Sequence, residues 1–277
     1  PGPIELFAAL TDASQRLTRL VRMPAFELAG AASLAINFEL QGAAPDEQRV
    51  LGLGGAGGAP WMASSVIRPG GEYALSAGAP AAWPTYQTLP TALWQPGDLI
   101  AITVSDGARS TTVAHKAPGA TWFQLPPDVA VDEPAIALAP TLHPVFRFTA
   151  TASELAVQRY VLHARTERPP DGAVREWTAD LSAGWIASAG SVTYPFPDLS
   201  SATGPEAAAD FALFPGPVRW VATRSESSHA DAVDGRITRT ASRTGAIVAY
   251  CGDAIVEPPE TCDPPDGTSC SEACMKL

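Results

Sequence analysis

Cysteine is missing from the first 250 residues: Cys251, Cys262, Cys270 and Cys274 all fall in the short stretch after them. The body of the chain must therefore hold together through an apolar core, and 46% hydrophobic residues is enough to build one. Charge is also scarce, 17% of residues against about 25% in ordinary globular domains. A disordered chain shows the opposite balance. Lysine occurs only as Lys116 and Lys276, and the net charge is −11. Without clustered cations, nucleic acid is excluded as a partner and an anionic membrane surface is disfavoured. No apolar run is long enough for a membrane-crossing helix, because Gly, Pro or charge interrupts each one. No secretory leader stands at the N-terminus. The opening Pro1-Gly2-Pro3 reads as a mature or trimmed chain whose targeting segment has been removed.

What is abundant is punctuation. The 27 prolines and 23 glycines are dispersed along the chain, as in a sheet protein with many turns. Residues 1–23 suit either helix or strand. Leu34 to Leu40 alternates apolar with small or polar residues and predicts a half-buried strand. Gly42 to Arg49 reads as a polar turn, with a short strand beginning at Val50-Leu51. Asp98 to Val104, the turn Ser105-Asp106-Gly107 and Ser110 to His115 predict a hairpin. The segment between Gly70 and Pro96 reads as a loop rich in Pro, Trp and Tyr. Beyond a Pro-containing segment, Pro126 to Pro134, strand patterns recur at Val145–Thr149, Arg159–Ala164, Glu176–Thr178, Ser191–Phe196, Val218–Thr223 and Arg239–Tyr250.

The order Arg-Tyr-Val-Leu, Glu-Trp, Val-Thr-Tyr-Pro-Phe-Pro-Asp-Leu and Pro-Gly-Pro-Val-Arg-Trp-Val-Ala-Thr, spread over residues 135–250, is similar to fibronectin type III domains. The segment Ser200–Asp210 is longer than that pattern allows. The expected fold class is thus all-β: one or two antiparallel β-sandwich domains of the immunoglobulin/fibronectin III kind, over residues 1–125 and 126–250. A small disulfide-rich module, 251–277, follows.

Clustered cysteines imply a unit too small for its own apolar core and dependent on cross-links. Four cysteines allow three pairings. Cys251–Cys262 with Cys270–Cys274 is the local solution, and the other two remain open. Zinc is the competing use, but only Cys270 and Cys274 have a spacing near that of a ligand pair, and no histidine lies within the module. The words Cys251-Gly252-Asp253, Glu260-Thr261-Cys262-Asp263, Gly267, Cys270 and Cys274 resemble a cysteine-rich repeat common in secreted and surface proteins of myxobacteria. Ala254 stands where that repeat has Gly, and Pro264-Pro265 interrupts its Asp-Gly-Asn stretch. The resemblance implies an extracellular or outer-surface location and disulfide bridges, and implies no enzymatic activity. Asp253, Glu260, Asp263 and Asp266 offer oxygen ligands for calcium, but a solvated acidic surface accounts for them better, and no EF-hand spacing is present.

No constellation for catalysis stands out. Gly52-Leu53-Gly54-Gly55-Ala56-Gly57 matches G-x-G-x-x-G formally, but no helix pattern follows to receive a pyrophosphate, so it reads as a flexible loop. His115, His143, His163 and His229 are not at metal-ligand spacing. Ser227, Ser228, His229 and Asp231 hold the residue types of a triad without a nucleophile elbow. Asp171, Glu176 and Asp180 could supply a glycosidase acid pair, and charged outer residues of a hairpin explain them better. Trp61, Trp83, Trp94 and Tyr86 gather in or near the Pro-rich segment, where aromatic faces either pack the core or anchor a ligand. The leading expectation is a non-enzymatic, secreted or cell-surface adhesion or structural protein with a protein or glycan partner, whether or not a lipid anchor precedes Pro1. A carbohydrate-binding protein using the loop tryptophans is the alternative, and an extracellular hydrolase a third reading.

Overall fold

In the computed structural model, residues 4–13, 16–26, 34–56, 58–68, 71–78, 80, 84–117, 119, 122–132, 134–137, 143–149, 155, 157–168, 172–182, 191–196, 213 and 216–249 are described. Trp83, Asp171 and the whole segment 251–277, with its four cysteines and the acidic residues Asp253, Glu260, Asp263 and Asp266, lie outside them. The described chain is predominantly β. It divides into two compact units: Pro1–Pro127 with Leu155–Val157 and Glu226–Ala241, and Asp128–Glu154 with Gln158–Ser225 and Ser242–Leu277.

In the first unit the ambiguous N-terminal segment forms two antiparallel strands, β1 (Ile4–Thr11) and β2 (Leu17–Phe26). The strand expected over Leu34–Leu40 is not there. Residues 34–37 are irregular and a single helical turn, α1 (Phe38–Gln41), follows. The cause is local capping: Asn37 Oδ1 accepts from the backbone N–H groups of Glu39 and Leu40, and Gln41 Oε1 accepts from Asn37 N–H. These bonds favour a helix start over extension, and Leu40 is left 85% exposed. The supposed polar turn contains β3 (Asp46–Arg49), and the strand expected at Val50 begins two residues later as β4 (Gly52–Gly54).

Next come β5 (Trp61–Arg68), β6 (Gly71–Ala77) and β7 (Thr85–Thr88), so the Pro-rich segment is partly sheet. The expected hairpin is present as β8 (Leu99–Ser105) and β9 (Arg109–His115). Its turn is fixed by Asp106, which accepts from Arg109 N–H, and by Gly107 at φ +97°. β10 (Trp122–Gln124) ends the run. The main antiparallel order is β6-β5-β8-β9. One face of it sends Met62, Val66, Ile100, Ile102, Val104 and Val113 into a core shared with Leu17, Leu20, Tyr86, Leu89, Phe123 and Leu125. Alternation along β5 turns Met62, Ser64 and Val66 inward, the Ser64 hydroxyl being satisfied by Gln87 C=O, and leaves the other face half-buried.

The second unit holds β11 (Ala135–Ala137), β12 (His143–Thr149), β13 (Val157–Arg168), β14 (Ala173–Ser182), β15 (Ser191–Pro195), β16 (Gly216–Ser227) and β17 (Ile237–Ala249). Strands β11-β12-β15 form one antiparallel sheet, and β14-β13-β16-β17 run side by side. Aromatic rings fill the interior. Phe148 stacks on Tyr160 with centroids 5.2 Å apart, and Phe146 meets Trp220 edge-on at 6.2 Å. Trp220 lies across Gly245, where a Cβ would come within 2.6 Å of the ring. β16 and β17 each contribute to both units: the first five residues of β17, Ile237–Ala241, pair with β9 and belong to the first.

Candidate functional site

The glycine-rich segment is a short strand followed by a turn, not a free loop. β4 pairs in parallel with β10, setting Gly52 beside Trp122, Leu53 beside Phe123 and Gly54 beside Gln124. Leu125 N–H then donates to Gly54 C=O at 3.0 Å. The period of two decides the rest. Phe123, 1% exposed, points into the core, and Leu53 packs against the same cluster. Trp122 and Gln124 therefore lie on the opposite face, over Gly52 and Gly54. A Cβ on Gly52 would come within 2.5 Å of the Trp122 ring, and one on Gly54 within 2.1 Å of Gln124 Oε1. These two glycines serve close approach of large side chains. Gly55, at φ +79°, turns the chain, and Arg109 holds that turn by donating to Gly55 C=O at 2.9 Å. The next regular element is the strand β5, so no helix N-terminus exists to receive a phosphate.

Beside this strand pair is an open cleft of about 430 Å3. Its walls include Leu51, Leu53, Ala56, Pro60, Pro84 and Trp122, and every side chain lining it is apolar. Trp122 is 72% exposed and Leu51 58%, so both stand at the mouth. Among the described residues Trp122 is the aromatic side chain most open to solvent, and its place at the mouth of an apolar cleft makes this a binding-site candidate. Trp122 was not among the aromatic residues singled out in sequence. The signal that could have found it is the match of Gly-x-Gly to Trp-x-Gln, small against large on one face and apolar against apolar on the other.

The aromatic residues that were singled out are placed differently. Tyr86 is buried and donates its hydroxyl to Gly119 C=O at 2.6 Å. Trp94 is half-buried against the core cluster, its Nε1 donating to Leu89 C=O at 3.0 Å. Trp61, half-buried, opens β5 opposite Ser105. Trp83 lies outside the described residues.

The triad-type residues are spent on loop geometry. Ser227 Oγ donates to His229 C=O at 2.7 Å, while Ser228 Oγ accepts from Ile237 N–H and sits 2.9 Å from His229 Nδ1. On the outer face of β13 and β14, Glu176 Oε1 lies 2.5 Å from His163 Nε2, and Asp180 accepts from Arg159 at 2.7 Å. The hydrogen bond from Arg159 holds the Asp180 carboxyl below its ordinary value. Among the described residues, no group of three His, Asp, Glu or Cys side chains is placed to hold a metal ion.

The densest electrostatics lie elsewhere in the first unit. Arg22, whose side chain is 2% exposed, donates to both oxygens of Asp98 at 2.5 and 3.0 Å, to Glu5 at 2.7 Å and to Leu93 C=O at 2.6 Å. Arg68 closes the set, 2.8 Å from Asp98 and bonded to Glu5. The Asp98 side chain is fully buried. Burial pushes its carboxyl up, but the Arg22 hydrogen bonds, the Gln95 N–H and the charges of Arg22 and Arg68 outweigh that, and the group sits below its ordinary value. Two cations and two anions balance, so this is a clamp joining β1 and β2 to the main sheet rather than a site for a ligand.

Among the described residues no helix is long and apolar enough to cross a membrane. No protein-family model matches the chain, and no curated protein matches it in sequence.

Proposed function

We propose that this chain is a non-enzymatic adhesion or structural protein of the cell exterior, and that the Trp122 cleft is where it meets its partner. In this reading the two β units are sandwich domains of the immunoglobulin/fibronectin III kind, and residues 251–277 form a disulfide-stapled module with bridges among Cys251, Cys262, Cys270 and Cys274. The observation that carries it is the seated, solvent-facing Trp122 indole beside an uncharged cleft. An aromatic ring held at the mouth of an apolar cleft offers a partner a rigid contact surface. The residues weighed for catalysis support the same reading, since Glu176, Asp180, Ser227 and Ser228 are each engaged in pairs or turns.

Location and contact can be tested together. Protein recovered from its producing cells and denatured without reductant is expected to show no free thiol, and protease added to intact cells is expected to remove it. Labelled protein added back should attach to those cells, and Trp122→Ala should attach less. Free or zinc-bound thiols together with protection from protease would overturn the reading.

A further inference from the structure

We infer that the Trp122 cleft takes a neutral sugar ring, whose apolar C–H face stacks on the outward face of the Trp122 indole. This rests on the reading of the cleft as the partner site and names the chemistry of what it holds.

Five features lead to that ligand. The indole is already fixed: its benzo edge lies over Gly52, where a Cβ would be 2.5 Å from Cζ3 and 2.6 Å from Cε3 and Cη2. One side rests on the strand while most of the residue faces water, which makes a rigid contact surface with little conformational freedom left to lose on binding. The lining carries no charged side chain, and a charged ligand group buried there would go unpaired, so the ligand is neutral. The mouth is wide, with Leu51 and Trp122 both exposed. A wholly apolar ligand is best served by enclosure, whereas an open cleft suits one with an apolar face and a hydroxyl-bearing edge that stays wet. Gly52 and Leu53 line the cleft, and among the described residues their strand is hydrogen-bonded on one edge alone, to β10. On the other edge the Leu53 N–H and C=O have no strand partner among the described residues, which leaves one donor and one acceptor for ring hydroxyls. A volume of about 430 Å3 falls in the ordinary range for small-ligand sites.

The experiment is calorimetric titration of the full chain with neutral gluco-, manno-, galacto- and N-acetylglucosamine pentasaccharides. An oligouronate and a medium-chain fatty acid serve as the charged and wholly apolar probes. At least one neutral pentasaccharide is expected to bind saturably. Trp122→Ala should weaken it at least tenfold without moving the thermal midpoint, Trp122→Phe should weaken it less, and Leu40→Ser should leave it unchanged. Failure of every neutral pentasaccharide, preference for either control probe, or binding indifferent to Trp122→Ala would overturn the inference. If no sugar binds but Trp122→Ala still abolishes attachment to cells, the sugar assignment falls and the adhesion reading stands. If a sugar binds through Trp122 but the protein attaches to no cell, the adhesion reading falls instead.

Discussion

Asp98→Asn keeps the shape of the side chain and removes one charge from a set of four. Arg22 and Arg68 then share Glu5 alone, and Arg22 has only 2% of its side chain in water to compensate. Breaking a buried pair by deleting one partner costs about 3–5 kcal/mol. The amide can still accept one hydrogen bond, so the lower end, about 3 kcal/mol, is expected. With a urea slope of about 2 kcal/mol per molar, the midpoint of the first unit's transition should fall by about 1.5 M. The pH dependence follows from the lowered Asp98 carboxyl. Because the folded-state value lies below that of the unfolded chain, the unfolded state binds more protons between the two, and stability rises with pH there. The Asp98 contribution is complete above the unfolded value, about 3.9, and is lost as pH falls through the folded one. The gap between wild type and Asp98→Asn should therefore be full at pH 7 and narrow below pH 4. Urea titrations followed by circular dichroism at both pH values measure it. A loss under about 1 kcal/mol at pH 7, or a gap that does not narrow in acid, would show that the cluster is not acting as a buried ionic clamp.

Two glycine substitutions that look alike should behave differently. A Cβ at Gly52 or at Gly245 meets an indole ring at 2.5 or 2.6 Å, but Trp122 is 72% exposed and Trp220 only 3%. Gly52→Ala should let Trp122 swing away, costing about 1 kcal/mol or less while weakening cleft binding; Gly245→Ala should overpack a ring with nowhere to go and cost about 1–3 kcal/mol. Equal midpoints for the two in chemical denaturation would contradict the role assigned to exposure. Gln87 makes a third test. Its side-chain amide accepts from Leu17 N–H at 3.0 Å and donates to Leu17 C=O at 2.8 Å, standing in for the backbone of a neighbouring strand. Gln87→Ala should cost about 3 kcal/mol by leaving two buried backbone groups unpaired, with amide exchange at Leu17 rising in step. Unchanged protection at Leu17 would mean that another group already serves it.

What could be read from the sequence was what neighbouring residues decide. The 98–115 hairpin was legible because alternation and an Asp-Gly turn lie within one short stretch. The strand at Leu34–Leu40 was misread because alternation there competes with the Asn37 and Gln41 side chains, whose local bonds win. β6 and β7 were hidden behind prolines that sit between strands rather than in them. The cleft was invisible for a different reason. The importance of Trp122 depends on Gly52, distant in sequence and beside it only through parallel pairing. In the same way Arg22 and Asp98 look like unremarked surface charges until β2 is laid against the main sheet.

β17 has a consequence for synthesis. Ile237 to Ala241 pair with Val113 to Arg109, so the outer edge of β9 in the first unit waits for a strand that is synthesised much later than β9 itself. Until those residues leave the ribosome, β9 offers bare N–H and C=O groups to any passing strand, and closing so long a loop is slow. A nascent chain stopped after Pro127 should thus be aggregation-prone, and a holdase-type chaperone would find its natural client there rather than in the finished molecule.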